Sequence, residues 1–369
     1  MEKKTVMLTI TEQCNLDCSY CYEKNKSSRA MSIETAQSII EYELSKQDGF
    51  DTCEIQFFGG EPFLRFDFIQ EICGYIWRKK WDKRCLCFTT TNGTLVHGEI
   101  QDWLAANRER FVCSLSLDGN REAHNINRSD SYDLIDIDFF RRIWPLQTAK
   151  MTISPESLPY LAESVIFLHE KGIPFSNNLA YGVDWQRKDL LQIMNIQLER
   201  LAQYYIENPD IPMCRMLDLN IESVNYEQKI NRWCGAGVSL SAYDVEGTRY
   251  PCHLFQPLSA VKKGNAFDRM NAHKVFAETI DGMKSVNCPV YNVCPTCYGH
   301  NFAATGNIAK RDETLCNFTK LNTLVASYIW LKKMERYSQK ELGLSDRDYC
   351  LIFSGAKLIQ EKLPAMLEY

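Results

Sequence analysis

The stretch CNLDCSYCY, residues 14–22, places Cys14, Cys18 and Cys21 just after a β-branched run, TVMLTIT (5–11), that reads as a strand. Three thiols in so short a span can hold zinc, form disulfides or ligate an iron–sulfur cluster. No fourth Cys or His lies nearby, so a tetrahedral zinc site would need a distant ligand. A [4Fe–4S] cluster on three thiolates leaves one iron without a protein ligand, open to a small chelating molecule.

Outward from this stretch, strand-like and helix-like segments alternate. SIETAQSIIEYELSK (32–46) follows, with Ser32 as a cap and Ile33, Ala36, Ile40 and Leu44 on one helical face. CEIQFF (53–58) runs into Gly59-Gly60-Glu61-Pro62 and an aromatic-rich helix to about residue 80. LCFTTT (86–91) ends in Asn92-Gly93, and a helix follows around 100–107. VCSLSL (112–117) ends in Asp118-Gly119. KMTIS (150–154) precedes a helix over 158–171, and FSNNLA (175–180) precedes one over 187–206. Six alternations predict parallel βαβ units. Because the strands end in polar or glycine tips (GGEP, TNG, LDG), which a parallel barrel gathers on one face, the expected fold is α/β: a partial (β/α)6 TIM-type barrel.

After about residue 213 the alternation stops, and Cys234, Cys252, Cys288, Cys294, Cys297 and Cys316 follow. SLSAYDVEGTRYPC (239–252) turns at Glu246-Gly247, a hairpin signal. The expected organisation is a barrel over 1–213, a cysteine-organised module over 214–320 and a helical tail over 321–369. The chain has 369 residues, 16 cysteines and a net charge of −5, which argues against a global basic field for nucleic acid or acidic membranes. With no signal peptide and no long apolar run, a soluble cytoplasmic protein is expected, so clustered cysteines read as metal ligands rather than disulfides. Cys53, Cys73, Cys85, Cys87, Cys113 and Cys350 read as small buried hydrophobes.

CxxxCxxC with Tyr20 before the last cysteine resembles the signature of the radical S-adenosylmethionine (SAM) enzymes. The resemblance implies a [4Fe–4S] cluster on Cys14, Cys18 and Cys21 whose open iron chelates SAM. One electron then cleaves the sulfonium, and the resulting 5′-deoxyadenosyl radical abstracts a substrate hydrogen. FFGGEP (57–62) resembles the family's glycine-glycine-glutamate motif, which implies that Gly59 and Gly60 let the backbone approach SAM while Glu61 holds its ammonium. TTTNGT (89–94) and SLSLDG (114–119) resemble later strand ends, implying that Asn92, Ser116 and Asp118 face the ribose or the amino-acid end. DGNREAHNINR (118–128) resembles a stretch in which an arginine, here Arg128, holds the SAM carboxylate.

Cys234-x12-Gly247-x4-Cys252 and then Cys288-x5-Cys294-x2-Cys297-x18-Cys316 resemble the SPASM auxiliary-cluster domain of radical SAM peptide modifiers. The resemblance implies a nearer auxiliary cluster on Cys234, Cys252 and Cys297 and a farther one on Cys288, Cys294 and Cys316. Ser285 stands where the family has a seventh cysteine. Three arrangements follow: two incompletely ligated clusters, which we favour, completion of one by Cys214, or a single cluster as in the shorter twitch variant. Without the N-terminal motif, Cys294-Pro-Thr-Cys297 would read equally as a zinc knuckle. His300, His124 and His253 read first as packing residues; a cluster-tuning role is the alternative.

The expected function is a radical SAM peptide maturase that forms a thioether cross-link, with a carbon–carbon link or epimerisation as variants. The expected partners are a peptide substrate and a flavodoxin- or ferredoxin-type reductant, with the leader either presented by a separate protein or bound directly. Alternatives are a sulfatase-type maturase making formylglycine, a small-molecule dehydrogenase, and a non-catalytic electron-transfer or zinc protein.

Overall fold

The structure is a computed structural model that describes residues 2–226, 234–259, 288, 290–308, 310–311 and 313–367. Four strands, β1 (Lys3–Thr11), β2 (Thr52–Gly59), β3 (Arg84–Thr91) and β4 (Phe111–Leu115), pair in parallel and in sequence order. A single parallel bridge between Ser116 and Lys150 leads on to β5 (Ala149–Ile153) and β6 (Phe175–Leu179), which also pair in parallel. Six parallel strands in chain order form the partial barrel that the alternation predicts.

Helices α1 (Ile33–Ser45), α2 (Phe66–Arg78), α3 (Glu99–Asn107), α4 (Arg121–Asn127), α5 (Ile137–Ile143), α6 (Leu161–Glu170) and α7 (Leu190–Glu207) supply the crossovers. The Ser32 hydroxyl accepts from the Thr35 amide and caps α1 as the sequence suggests. On β1 the two-residue period turns Lys4, Val6, Leu8 and Ile10 to one buried face, and the three apolar side chains join Ile40, Leu44, Ile69 and Ile72 in the core. Each such side chain contributes about 1.5–3 kcal/mol through burial. Sequence patterning alone did not show α4 and α5, two short helices in the polar connection between β4 and β5.

The cysteine-rich half is joined to this sheet. β7 (Leu240–Tyr243) pairs in parallel with the free side of β1, and β8 (Arg249–Tyr250) returns antiparallel, confirming the hairpin and adding it to the barrel sheet. Helix α8 (Tyr298–Thr305) starts directly after Cys297. Helix α9 (Cys316–Arg336) begins at a cysteine, runs through position 320, and packs between α7 and α10 (Asp346–Lys362). Cys53, Cys73, Cys87 and Cys113 are buried and Cys85 is half-buried, whereas Cys350 is exposed on α10, where its apolar neighbours face the opposite side.

A buried charge network ties the hairpin to the base of the barrel. Lys4 is 1% exposed and pairs with Glu43 of α1 and, at 2.8 Å, with Asp48. Asp48 also accepts from Lys83 at 2.6 Å, and the Tyr243 hydroxyl of β7 donates to Glu43. Burial pushes the Asp48 carboxyl up, but hydrogen bonds from Lys4 and Lys83 outweigh it and hold it near about 2, below the ordinary 3.8. Because this pKa is depressed in the folded state, its stabilisation is full above pH 4 and fades as pH falls from about 4 to about 2. Denaturant titrations across that range should show the loss, and Asp48→Asn should flatten it. Glu43→Ala leaves Lys4 underpaired and Tyr243 without its acceptor. It should lower unfolding free energy by about 3–5 kcal/mol; a change below about 1 kcal/mol would contradict this account.

Candidate metal centre

The three N-terminal thiols sit on the loop leaving the C-terminal end of β1, and all three are half-buried. Two backbone contacts fix where that loop starts. Gly60 N donates to Thr11 O at 3.1 Å and Glu61 N donates to Gln13 O at 2.8 Å. Gly59 has φ +129°, and a Cβ there would lie 1.9 Å from the Thr11 carbonyl oxygen. A Cβ on Gly60 would lie 2.1 Å from the Gln13 carbonyl oxygen and 2.9 Å from Cys14 Cβ. Both glycines therefore admit the tip of β2 against the thiol loop.

Glu61 is 1% exposed. Its Oε1 accepts from Phe63 N and Thr91 Oγ1, and its Oε2 accepts from Asn92 N at 2.9 Å. A carboxylate offers about four lone-pair sites, so one on Oε2 stays open among the described residues. Burial raises the Glu61 carboxyl, while the Asn92 and Phe63 amides, the Thr91 hydroxyl and the nearby Arg128 charge lower it. Asn92 donates to Asn15 Oδ1 at 2.9 Å and so joins the strand-three tip to the residue after Cys14. Ser116 is half-buried at the bridge between β4 and β5, with its amide on Thr91 O.

Asp118, which the family resemblance implies faces the ribose or the amino-acid end of SAM, is occupied here by protein donors. Its carboxylate is 1% exposed and accepts from Tyr20 Oη, Asn127 Nδ2, both Nε and Nη2 of Arg128, and Thr152 N. The Arg128 guanidinium also lies 5.3 Å from the centre of the Tyr20 ring. Burial pushes the Cys18 thiol up to about 11, with Arg128 the leading opposing charge. Burial likewise raises Cys14. His124 is fully buried, with Nδ1 against the Asp118 amide and Nε2 against Ser131, a packing arrangement.

The motif left two neighbours unremarked. Lys26 donates to Leu16 O at 3.1 Å, and its charge faces all three thiols. Glu23 is 6% exposed; its Oε1 has no hydrogen-bond partner among the described residues, and burial pushes its carboxyl up to about 7. The run YEKNK after Cys21 carries both residues, but a charge run usually reads as a solvated face.

The six later cysteines fall into two electrostatic neighbourhoods. Cys234, Cys252 and Cys297 act on one another, as do Cys288, Cys294 and Cys316. The backbone N–H groups of Gly299 and His300 point to the Cys297 sulfur, and the His300 ring lies 4.5 Å from the Tyr181 ring. Tyr22 lies within electrostatic reach of Cys21, Cys252 and Cys297, and its ring is 5.4 Å from that of His253. Cys214 is buried elsewhere, beside Asn177 and Tyr205. Ser285 lies outside the described residues.

Among the described residues, no three His, Cys, Asp or Glu side chains gather tightly enough for a single metal ion, as a zinc site would require. A cluster takes its thiolates on separate irons and needs wider spacing. The N-terminal loop fits such a cluster plus a chelating ligand: three thiols, two flanking cations and one open carboxylate lone pair.

A family description for a 4Fe-4S single cluster domain matches residues 4–132. The chain is 27% identical over 221 residues to an uncharacterized protein of Methanocaldococcus jannaschii, covering 56% of this chain and 74% of that one. It is 34% identical over 127 residues to a cysteine-type anaerobic sulfatase-maturating enzyme of Clostridium perfringens, covering 32% of this chain and 33% of that enzyme. It is 31% identical over 117 residues to the antilisterial bacteriocin subtilosin biosynthesis protein AlbA of Bacillus subtilis, covering 31% of this chain and 25% of that protein. These alignments to the two enzymes of stated function span about a third of their length or less. The solved structure of native anSMEcpe with bound AdoMet shares the fold at a TM-score of 0.68 and 17% identity, covering 90% of this chain and 98% of that one. Among the described residues, no helix is long and apolar enough to cross a membrane.

Gly60→Ala tests the glycine contact. Driving a methyl into the Gln13 carbonyl should cost about 2 kcal/mol or more, lowering the melting temperature and the iron incorporated at the N-terminal loop. Wild-type values for both would contradict the proposed reason for Gly60.

Proposed function

We propose that the chain is a radical SAM enzyme of the branch with SPASM- or twitch-type cysteine modules, and that it oxidatively modifies a peptide or protein substrate. The observation that carries this reading is the three-thiol loop on β1, held beside an open carboxylate lone pair on Glu61, with Tyr22 joining its last thiol to Cys252 and Cys297. Bound together at such a site, a [4Fe–4S] cluster and SAM supply reductive cleavage to a 5′-deoxyadenosyl radical that removes a substrate hydrogen.

The remaining work falls to the chain. Cys14, Cys18 and Cys21 would hold three irons of such a cluster and leave the fourth for SAM. The open lone pair of Glu61 would accept a hydrogen bond from the SAM amino group. Arg128 spends Nε and Nη2 on Asp118 and has Nη1 for a carboxylate, a geometry that suits guanidinium. Asn92, through Asn15, fixes the loop between the first two thiols. Cys234, Cys252 and Cys297 form the nearer auxiliary set and Cys288, Cys294 and Cys316 the farther one, two clusters rather than one. The module over 214–320 takes up the electron that the oxidation releases, from a substrate that also gives up one hydrogen atom and one proton.

Thioether formation is our first reading for the bond made, because sets of three cysteines leave a corner for a substrate thiolate. Peptide complexes of fold relatives support a peptide substrate: anSMEcpe with Cp18Cys peptide and Streptococcus suis SuiB with precursor peptide SuiA, at TM-scores of 0.67 and 0.52. The sulfatase-maturating relatives favour a second reading, oxidation of a Cys in a protein target. The two differ in product mass: a thioether only loses two hydrogens, whereas formylglycine loses two hydrogens and also exchanges sulfur for oxygen.

Anaerobic reconstitution of wild type and a Cys14/Cys18/Cys21→Ala variant tests the reading. The variant should lose about four irons per chain and all 5′-deoxyadenosine production. Unchanged SAM cleavage in the variant would overturn the mechanism, and its residual iron counts the auxiliary clusters.

A further inference from the structure

The geometry points to Asp118 as a positioning residue. Its buried carboxylate holds Tyr20 and Arg128 against the thiol loop and so sets the electric field at Cys18, without touching SAM itself. The inference rests on the proposed cluster at Cys14, Cys18 and Cys21.

Hydrogen-bond capacity comes first. A carboxylate has about four lone-pair sites. Asp118 Oδ2 accepts from Tyr20 Oη at 2.7 Å, Asn127 Nδ2 at 3.1 Å and Arg128 Nε at 2.9 Å. Oδ1 accepts from Arg128 Nη2 at 3.2 Å and Thr152 N at 2.8 Å. Five donors on a carboxylate only 1% exposed leave no room for a ribose hydroxyl.

The donors come from the places that matter. Tyr20 lies between Cys18 and Cys21, and the residues on either side of Cys18 are also tied down. Ser19 N donates to Asn127 O at 3.0 Å, and Asp17 N donates to Ser129 Oγ at 3.2 Å. The end of α4 thus grips the loop through backbone and side chain together, and Asp118 is where these contacts converge. Arg128, 7% exposed and stacked on Tyr20, is the cation nearest in effect to Cys18; Lys26 faces all three thiols from its own side.

Charge and hydrogen bonding around a cluster set its reduction potential. Reduction adds negative charge, so the two members of the Asp118–Arg128 pair should act in opposite senses. Asp118→Asn keeps the shape and removes the anion. Its amide nitrogen faces donors whichever way it turns, and Arg128 loses its counter-charge. Arg128→Gln removes the cation and leaves Asp118. Lys26 and Glu61 stay constant in both.

The test is an EPR-monitored redox titration of the reconstituted full chain without SAM. The N-terminal cluster signal is isolated by subtracting the Cys14/Cys18/Cys21→Ala spectrum. We expect the midpoint to move positive in Asp118→Asn and negative in Arg128→Gln, with altered line shape in both and iron content near wild type. Wild-type midpoints in both, with weakened SAM binding in Asp118→Asn, would overturn the inference and make Asp118 a SAM contact. If Asp118→Asn does not retain iron, Tyr20→Phe decides. It keeps the ring beneath Arg128 but removes one donor, and an unmoved SAM-free spectrum would overturn the inference. A wild-type spectrum with no component lost in the triple variant would instead sink the cluster reading itself.

Discussion

Two hydrogen bonds, from Gly60 N to Thr11 O and from Glu61 N to Gln13 O, bring the tip of β2 against the chain leading into Cys14. The rest of the site depends on that contact. It aims the thiol loop across the open end of the barrel and places the Glu61 carboxylate beside it. It also requires two consecutive residues without side chains, because any Cβ would strike a carbonyl. Around this fixed start, each strand tip adds one restraint: Asn92 on Asn15 from β3, and Asp118 on Tyr20 from β4. A parallel barrel collects such tips on one face, so the loop is held by elements far apart in sequence.

A second constraint ties the cysteine-rich half to the first. β7 pairs with β1, the strand that carries the thiol loop, and Tyr243 of β7 reaches the buried Glu43. Above the sheet, Asn25 donates to the carbonyls of Pro257 and Leu258, and Arg29 bridges Glu12 and Glu246. Tyr22 sits where these two halves meet, between Cys21 and the Cys252–Cys297 pair. The segment after the third thiol therefore lies beside Cys252 and Cys297 as well as Cys21.

Much of this was legible in the sequence because it has local causes. Period-two runs ending in Gly or Asn, Ser32 before a helical face, and three thiols at fixed spacing each announce themselves within a few residues. The pairing of β7 with β1 does not: a four-residue strand paired across more than half the chain leaves no local pattern. The partners of Asp118 were not legible either, since a carboxylate at a strand tip looks the same in sequence whether it faces a ligand or five protein donors. Gly59 and Gly60 read in the sequence as residues that let the backbone approach SAM; in the structure they admit the thiol loop, a contact their spacing does not announce. Cys350 looked apolar by composition, yet its helical phase turns it outward.

The central claim is that the loop at Cys14, Cys18 and Cys21 leaves one iron for SAM. Electron–nuclear double resonance on the reduced, reconstituted chain tests it most directly, using SAM labelled with 15N at the amino group. The account predicts a 15N hyperfine coupling to the N-terminal cluster that vanishes in the Cys14/Cys18/Cys21→Ala variant. A fully thiolate-ligated cluster whose spectrum is indifferent to labelled SAM would contradict it.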